Sequence, residues 1–154
     1  MADLEIRAAS VDDAAGIEPL LADSLTRLAT LRGGQALLEM IGMPQGVGPE
    51  EVASALCGEA LLDTTTLVAT LSGSVVGIAV VVRTGAGLDL VGVHTARSMR
   101  RRRIGTTLLD ATRDIARDLG VRFEALALPG DQTVKSLLEA SGFKARLLRM
   151  AADR

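Results

Sequence analysis

Apolar and charged residues alternate in Leu4-Glu5-Ile6-Arg7, which predicts a short strand with one face in solvent. Beyond Ser10 the period lengthens: Ile17, Leu20, Leu21, Ser24, Leu25 and Leu28 recur every three or four residues, the stripe of an amphipathic helix. Ser10 is placed as its N-cap, with Asp12 and Asp13 in a first turn where the helix dipole favours acids, and Gly33-Gly34 as its end. A second helical stretch covers 35–41, a Gly- and Pro-rich loop 42–49, and helical spacing resumes over 50–62. β-Branched runs at 65–70 and 75–83, joined by Ser72-Gly73-Ser74, predict a hairpin, and Gly85-Ala86-Gly87 turns into a strand over 88–94. Leu108, Leu109, Thr112, Ile115, Ala116 and Leu119 mark a helix over 104–119, closed by Gly120. A strand over 123–128, a helix over 131–140 and a last strand over 143–150 complete the chain. Antiparallel strands followed by a β-α-β unit indicate an α/β chain of α+β type, a mixed sheet with helices packed on it. Neither linker composition nor repeats divide it, so residues 1–154 are expected to form one domain.

The 154 residues carry a net charge of -2, which argues against binding nucleic acid through bulk charge. The longest apolar run, 75–82, is far shorter than the roughly 20 residues of a membrane-spanning helix. No basic, apolar signal segment opens the chain, and the single Cys57 cannot form an internal disulfide, so a reducing cytoplasm is expected. Cys57 and His94 alone do not supply an ordinary zinc site, and no metal is expected. Aromatics are two Phe with no Tyr or Trp, which removes a phenol as general acid.

Chemistry concentrates between the strand that ends near Thr95 and the helix that opens at Ile104. Arg97, Arg100, Arg101, Arg102 and Arg103 crowd that passage. Free N–H groups at a helix start bind anions, and Gly105 lets an anion approach the backbone. Cations in a first helical turn oppose the dipole by roughly 0.3–1 kcal/mol each. A cluster of four there fits a multiply charged anion, such as the phosphates of a nucleotide or of coenzyme A. A solvated arginine surface is the plain alternative, and a nucleic-acid patch lacks the aromatic platform it would need.

This segment resembles the acetyl-CoA-binding motif of the GCN5-related N-acetyltransferases, Q/R-x-x-G-x-G/A. It reads Arg100-Arg101-Arg102-Arg103-Ile104-Gly105, continued by Thr106-Thr107-Leu108-Leu109, with Arg103 where the family has its first Gly. The run from Ile6 to Ala14 is similar to the family's first strand and helix entry, and Leu137-Leu138-Glu139-Ala140-Ser141-Gly142-Phe143 to its ending. The resemblance implies the acyl-CoA N-acyltransferase fold: a mixed, mostly antiparallel central sheet with a splayed parallel pair and helices on both faces. It implies acetyl-CoA as cosubstrate. Pantetheine would lie in the split between the strands, on backbone groups around Val93 and Thr95. The pyrophosphate would sit on the amides of Arg101, Arg102, Arg103, Ile104, Gly105 and Thr106, beside Arg100. Asp131 stands where many members have an Asn and joins this set.

Acetyl transfer needs a neutral amine, a stabilised tetrahedral intermediate and a proton for the departing thiolate. Many members of the family supply that proton from a Tyr whose place here is Leu138. A thiol pKa of about 8.5 lets a thiolate leave into water without it. Candidate bases are Asp89, at the spacing of the glutamate in the family's histone-acetylating branch, and His94, whose ordinary pKa suits the task. Solvent-facing and strand-end structural roles are the alternatives for these two residues. The expected activity is transfer of an acetyl group to a primary amine, of a small molecule or a protein, by direct transfer in a ternary complex. The alternative is a catalytically impaired acyl-CoA-binding domain acting as a sensor or subunit. The family also leaves room for a homodimer paired through the last strand.

Overall fold

The computed structural model describes residues 3–43, 46–58, 61, 63–85 and 87–152. Its centre is a five-stranded sheet in which each strand lies beside its neighbour in sequence. β1 (Leu4–Ala8), β2 (Thr64–Leu71), β3 (Ser74–Thr84) and β4 (Gly87–Thr95) pair antiparallel, and β5 (Arg122–Ala125) joins β4 in parallel. A 3-10 turn at Val11–Asp13 leads into α1 (Ala14–Thr30), followed by α2 (Gly34–Met40) and α3 (Pro49–Cys57) before β2. A second such turn, Arg97–Met99, precedes α4 (Ile104–Leu119), and α5 (Gln132–Ala140) follows β5.

Strand alternation divides the core between the two faces. Val68, Ile78, Val80, Val82 and Val91 pack with Ile17, Leu20 and Leu21 of α1 and Val52, Ala53 and Leu56 of α3. Leu67, Ala79, Val81, Leu90 and Val93 pack with Ile104, Leu108 and Leu109 of α4 and Leu138 of α5. Helices therefore cover both faces. Close seating of α4 depends on Gly77 in β3, where an added Cβ would lie 2.8 Å from Ile104 Cγ2.

Ser10 does not cap α1 directly. The 3-10 turn intervenes, and the Asp13 carboxylate accepts the Ser10 N–H (2.8 Å) while pairing with Arg7 of β1 (2.7 Å). The helix predicted over 50–62 ends at Cys57, with Gly58 extended after it, and Leu61 lies outside any helix. Pro44, Gln45, Glu59, Ala60, Leu62 and Ala86, which fall within the predicted loop, helix and turn, lie outside the described residues. β5 is shorter than the strand predicted over 123–128, because β4 leaves it after Ala125.

The last strand predicted over 143–150 does not form: these residues pair with none of the described strands. Phe143 is fixed by its side chain, edge-on to Phe123 of β5 with ring centroids 5.4 Å apart and Arg113 over its face. Beyond it Leu147, Leu148 and Met150 are 91%, 72% and 81% exposed. Alternation marks a segment able to pair, but the neighbouring edge strand β5 offers only four residues of ladder.

Candidate active site

The parallel pair β4–β5 holds together only at its start. Gly87 to Leu90 face Arg122 to Ala125, and the last ladder bond is Leu126 N–H to Leu90 C=O (2.9 Å). On its other edge β4 carries a bulge: Val80 and Val81 of β3 face Gly92 and Leu90, and Val91 is the extra residue. A bulge bends its strand and strengthens the local twist, which turns β4 away from β5. The strands part and leave a cleft.

Leu90, Val91, Gly92, Val93 and His94 form one wall of this cleft, and Leu126, Ala127 and Leu128 the other. Leu28, Leu37, Asp131 and Val134 also line it. The Ala96 N–H donates to Val76 C=O of β3 (2.9 Å), so the backbone groups of His94 turn toward β3 as well. Those of Val93 and Thr95 turn the other way, toward the gap.

At the outer end of β4 the chain enters the arginine loop. Arg101 and Arg103 take positive φ, +65° and +61°, a left-handed conformation that disfavours any residue with a Cβ. Arg103 thus adopts the backbone form that a glycine would take without strain. The first amide of α4 to bond within the helix is that of Thr107, to Arg103 C=O (2.9 Å). The N–H groups of Ile104, Gly105 and Thr106 precede it and have no acceptor inside the helix. Arg100 to Arg103 are exposed, and among the described residues no carboxylate pairs with them, whereas Arg97 bonds Asp23 at 3.0 Å. Gly105 meets α5: an added Cβ would lie 3.0 Å from Leu137 Cδ2. The missing side chain of Gly105 thus serves the packing of α4 on α5 rather than the approach of an anion. The amides without a helical acceptor and the exposed guanidiniums make a fitting cradle for a polyphosphate.

Two polar pairs tie α1 to the cleft walls. Buried Ser24 is within hydrogen-bonding distance of the His94 ring, 3.0 Å from Nε2, with Nδ1 also turned to it. Loss of hydration, with the Arg27 charge adding to it, pushes the imidazole down to about 4, so it is uncharged at neutral pH. Arg27 donates to Asp131 Oδ1 (2.7 Å), and the same oxygen accepts the Val134 N–H (3.2 Å), capping α5.

Ser24 and Arg27 were not singled out as site residues from sequence. The available signal was a serine on the otherwise apolar stripe of α1. Asp89 stands apart from the cleft. It pairs in register with Val82 and Glu124, where the strands are still joined, and accepts from Thr84 Oγ1 (3.3 Å). Leu138 is buried beside Ile104 and Leu108 on the α4 face. Cys57 is buried within the α1–α3 core, and burial pushes its thiol up.

Residues 40–143 match the Acetyltransferase (GNAT) family. The chain belongs to that family. Its fold is shared with a ribosomal-protein-alanine N-acetyltransferase from Brucella melitensis biovar Abortus 2308, at TM-score 0.74 and 15% identity over 99% of this chain and 100% of that one. It is shared too with the PaiA N-acetyltransferase of Thermoplasma acidophilum solved with coenzyme A, at TM-score 0.71 and 16% identity over 94% and 91% of the two chains. A third likeness is to AAC(6')-Iy in complex with a bisubstrate analogue, CoA-S-monomethyl-acetylneamine, at TM-score 0.69 and 15% identity over 99% of each chain. A comparison with curated proteins finds no match.

Proposed function

We propose that the chain is an N-acetyltransferase that moves the acetyl group of acetyl-CoA to a primary amine, of a small molecule or a protein, within a ternary complex. The observation that carries this reading is the pairing of an anion cradle with a strand split: helix-start amides and four arginines that no carboxylate pairs among the described residues lie at the end of β4 beside a narrow apolar cleft. In this reading the amides from Arg101 to Thr106 and the side chains of Arg100 to Arg103 hold the pyrophosphate. The gap-facing backbone of Val93 and Thr95 holds pantetheine and offers an N–H toward the thioester oxygen. Asp131 belongs to this set indirectly, by capping α5 and keeping Arg27 against the cleft.

The amine must lose a proton, and the thiolate must gain one or leave into water. His94 is assigned the first task, through a water, because its imidazole is uncharged at neutral pH and lines the cleft. Asp89, five residues or about 16 Å back along the strand at 3.3 Å per residue, is not used. No metal enters the reading. Two observations favour the rival, an acyl-CoA-binding domain without turnover: Leu138 sits in the core where a phenol would donate, and Ser24 engages the His94 nitrogens.

Calorimetry with coenzyme A, then thiol release from acetyl-CoA with a broad panel of amines, tests both. Binding with turnover supports the enzyme, and binding without turnover supports the sensor. Absence of binding at millimolar coenzyme A rejects both. We propose a cytoplasmic location, in keeping with a single cysteine, Cys57, which cannot form an internal disulfide. Among the described residues no helix is long and apolar enough to cross a membrane. We also propose a homodimer paired through residues 143–150, which carry the exposed side chains of Leu147, Leu148 and Met150. Sedimentation of Leu147→Asp beside the parent chain checks this, and an unchanged mass refutes it.

A further inference from the structure

We infer that Leu28 and Leu37 limit the length of the acyl group that the cleft accepts; the inference rests on the coenzyme A reading above. The arginine loop lies at the outer end of β4, before α4, on one side of the sheet. On the other side the corner between α1 and α2 closes over the split. Leu31 and Gly33 of that corner abut Gly130 and Leu128: Cβ atoms added at Gly130 and Gly33 would lie 3.0 Å from Leu31 Cδ2 and 3.3 Å from Leu128 Cδ2. The corner is therefore seated on the segment after β5 that forms the far wall.

Beside this corner Leu28 of α1 and Leu37 of α2 line the cleft together with Val91 and Leu128. A thioester whose phosphates sit on the loop and whose pantetheine follows Val93 and Thr95 delivers its acyl group to this end. Around Leu28 and Leu37 the lining is aliphatic, and the free space of the whole cleft is about 30 Å³, the scale of one or two water molecules. An acetyl group is short enough for that end. Each further methylene presses on Leu28 or Leu37, and a single methylene in such a pocket is worth about 10- to 200-fold in discrimination.

The test measures affinities by calorimetry for coenzyme A, acetyl-CoA, butyryl-CoA and hexanoyl-CoA, in the parent chain, Leu28→Ala and Leu37→Ala. Truncating either leucine removes three carbons from the lining, enough for the two extra methylenes of butyryl. The parent is expected to bind butyryl- and hexanoyl-CoA at least about tenfold more weakly than acetyl-CoA. In one or both variants the butyryl penalty, taken relative to that variant's own acetyl-CoA affinity, should shrink to a few-fold, with thermal unfolding beside the parent as the check that the fold is intact. Equal affinities for all chain lengths in the parent, or an unchanged profile in both variants, overturns the inference. Failure of coenzyme A to bind the parent instead overturns the coenzyme A reading on which the inference rests.

Discussion

Ser24 Oγ on α1 stands 3.0 Å from His94 Nε2 on β4, so a helix that covers the sheet and the strand that opens the cleft share one polar contact. The ring is uncharged in that contact, and its pKa has fallen from 6.5 to about 4. Between those values the unfolded chain binds more protons than the folded one, so stability falls as pH drops through this window and is unaffected by the ring above it. Thermal unfolding should therefore show a Tm that declines between pH 6.5 and 4. His94→Gln should flatten that decline. Parallel slopes in parent and variant would show that the ring does not titrate in this way.

Arg27 and Asp131 give a second, independent expectation. Asp131 is 6% exposed and does two jobs, pairing with Arg27 and capping α5. Asp131→Asn keeps an oxygen for the Val134 N–H, whereas Asp131→Ala removes it, so the alanine variant should be less stable by about 1 kcal/mol. Arg27→Met leaves a buried carboxylate without its cation and should cost about 1–3 kcal/mol. Urea unfolding midpoints of the three variants rank these effects.

Arg103 holds a left-handed backbone at the start of α4, a form that costs an ordinary residue about 1–2 kcal/mol. Glycine relieves that strain but loses more freedom on folding, by about 0.4–1 kcal/mol. Arg103→Gly should leave stability unchanged or raise it by up to about 1.6 kcal/mol. The loop would keep its amide and lose one charge, so affinity for coenzyme A should weaken by a few-fold and depend less on salt. A Tm clearly below that of the parent would mean that the arginine side chain makes a contact the backbone argument omits.

Gly77 tests the seating of α4. An added Cβ would lie 2.8 Å from Ile104 Cγ2 and 3.1 Å from Leu108 Cδ1, so Gly77→Ala must push the helix outward. Overpacking of this kind costs about 1–3 kcal/mol. Because Ile104 opens the arginine loop's helix, affinity for coenzyme A should fall together with Tm, measured by calorimetry and thermal unfolding.

Much of this was legible before any coordinates, and the reasons differ by element. The stripe from Ile17 to Leu28 and the β-branched runs of the hairpin declare their period locally, and both elements form as expected. The arginine loop was visible because four cations at a helix start conflict with the dipole. Its strained backbone was not, since φ at Arg101 and Arg103 follows from how the loop joins strand to helix. Segment 143–150 shows the converse error: alternation is a property of the segment, whereas strand formation needs a partner edge. The Ser24–His94 and Arg27–Asp131 pairs join residues 70 and 104 positions apart, and no local pattern encodes them.

The extra residue at Val91 acts as a parity switch for the end of β4. Side chains alternate along a strand, so one residue that occupies no rung of the ladder inverts every side chain after it. With Val91 inserted, Gly92 and His94 share the α1 side with their partners Val80 and Ile78, and Val93 shares the α4 side with Ala79. In an unbroken ladder His94 would point at the α4 core and Val93 at Ser24. Slippage that closed the ladder with every residue retained would thus exchange an aliphatic wall for an imidazole, whereas deletion of Val91 itself would leave Val93 and His94 opposite Ala79 and Ile78.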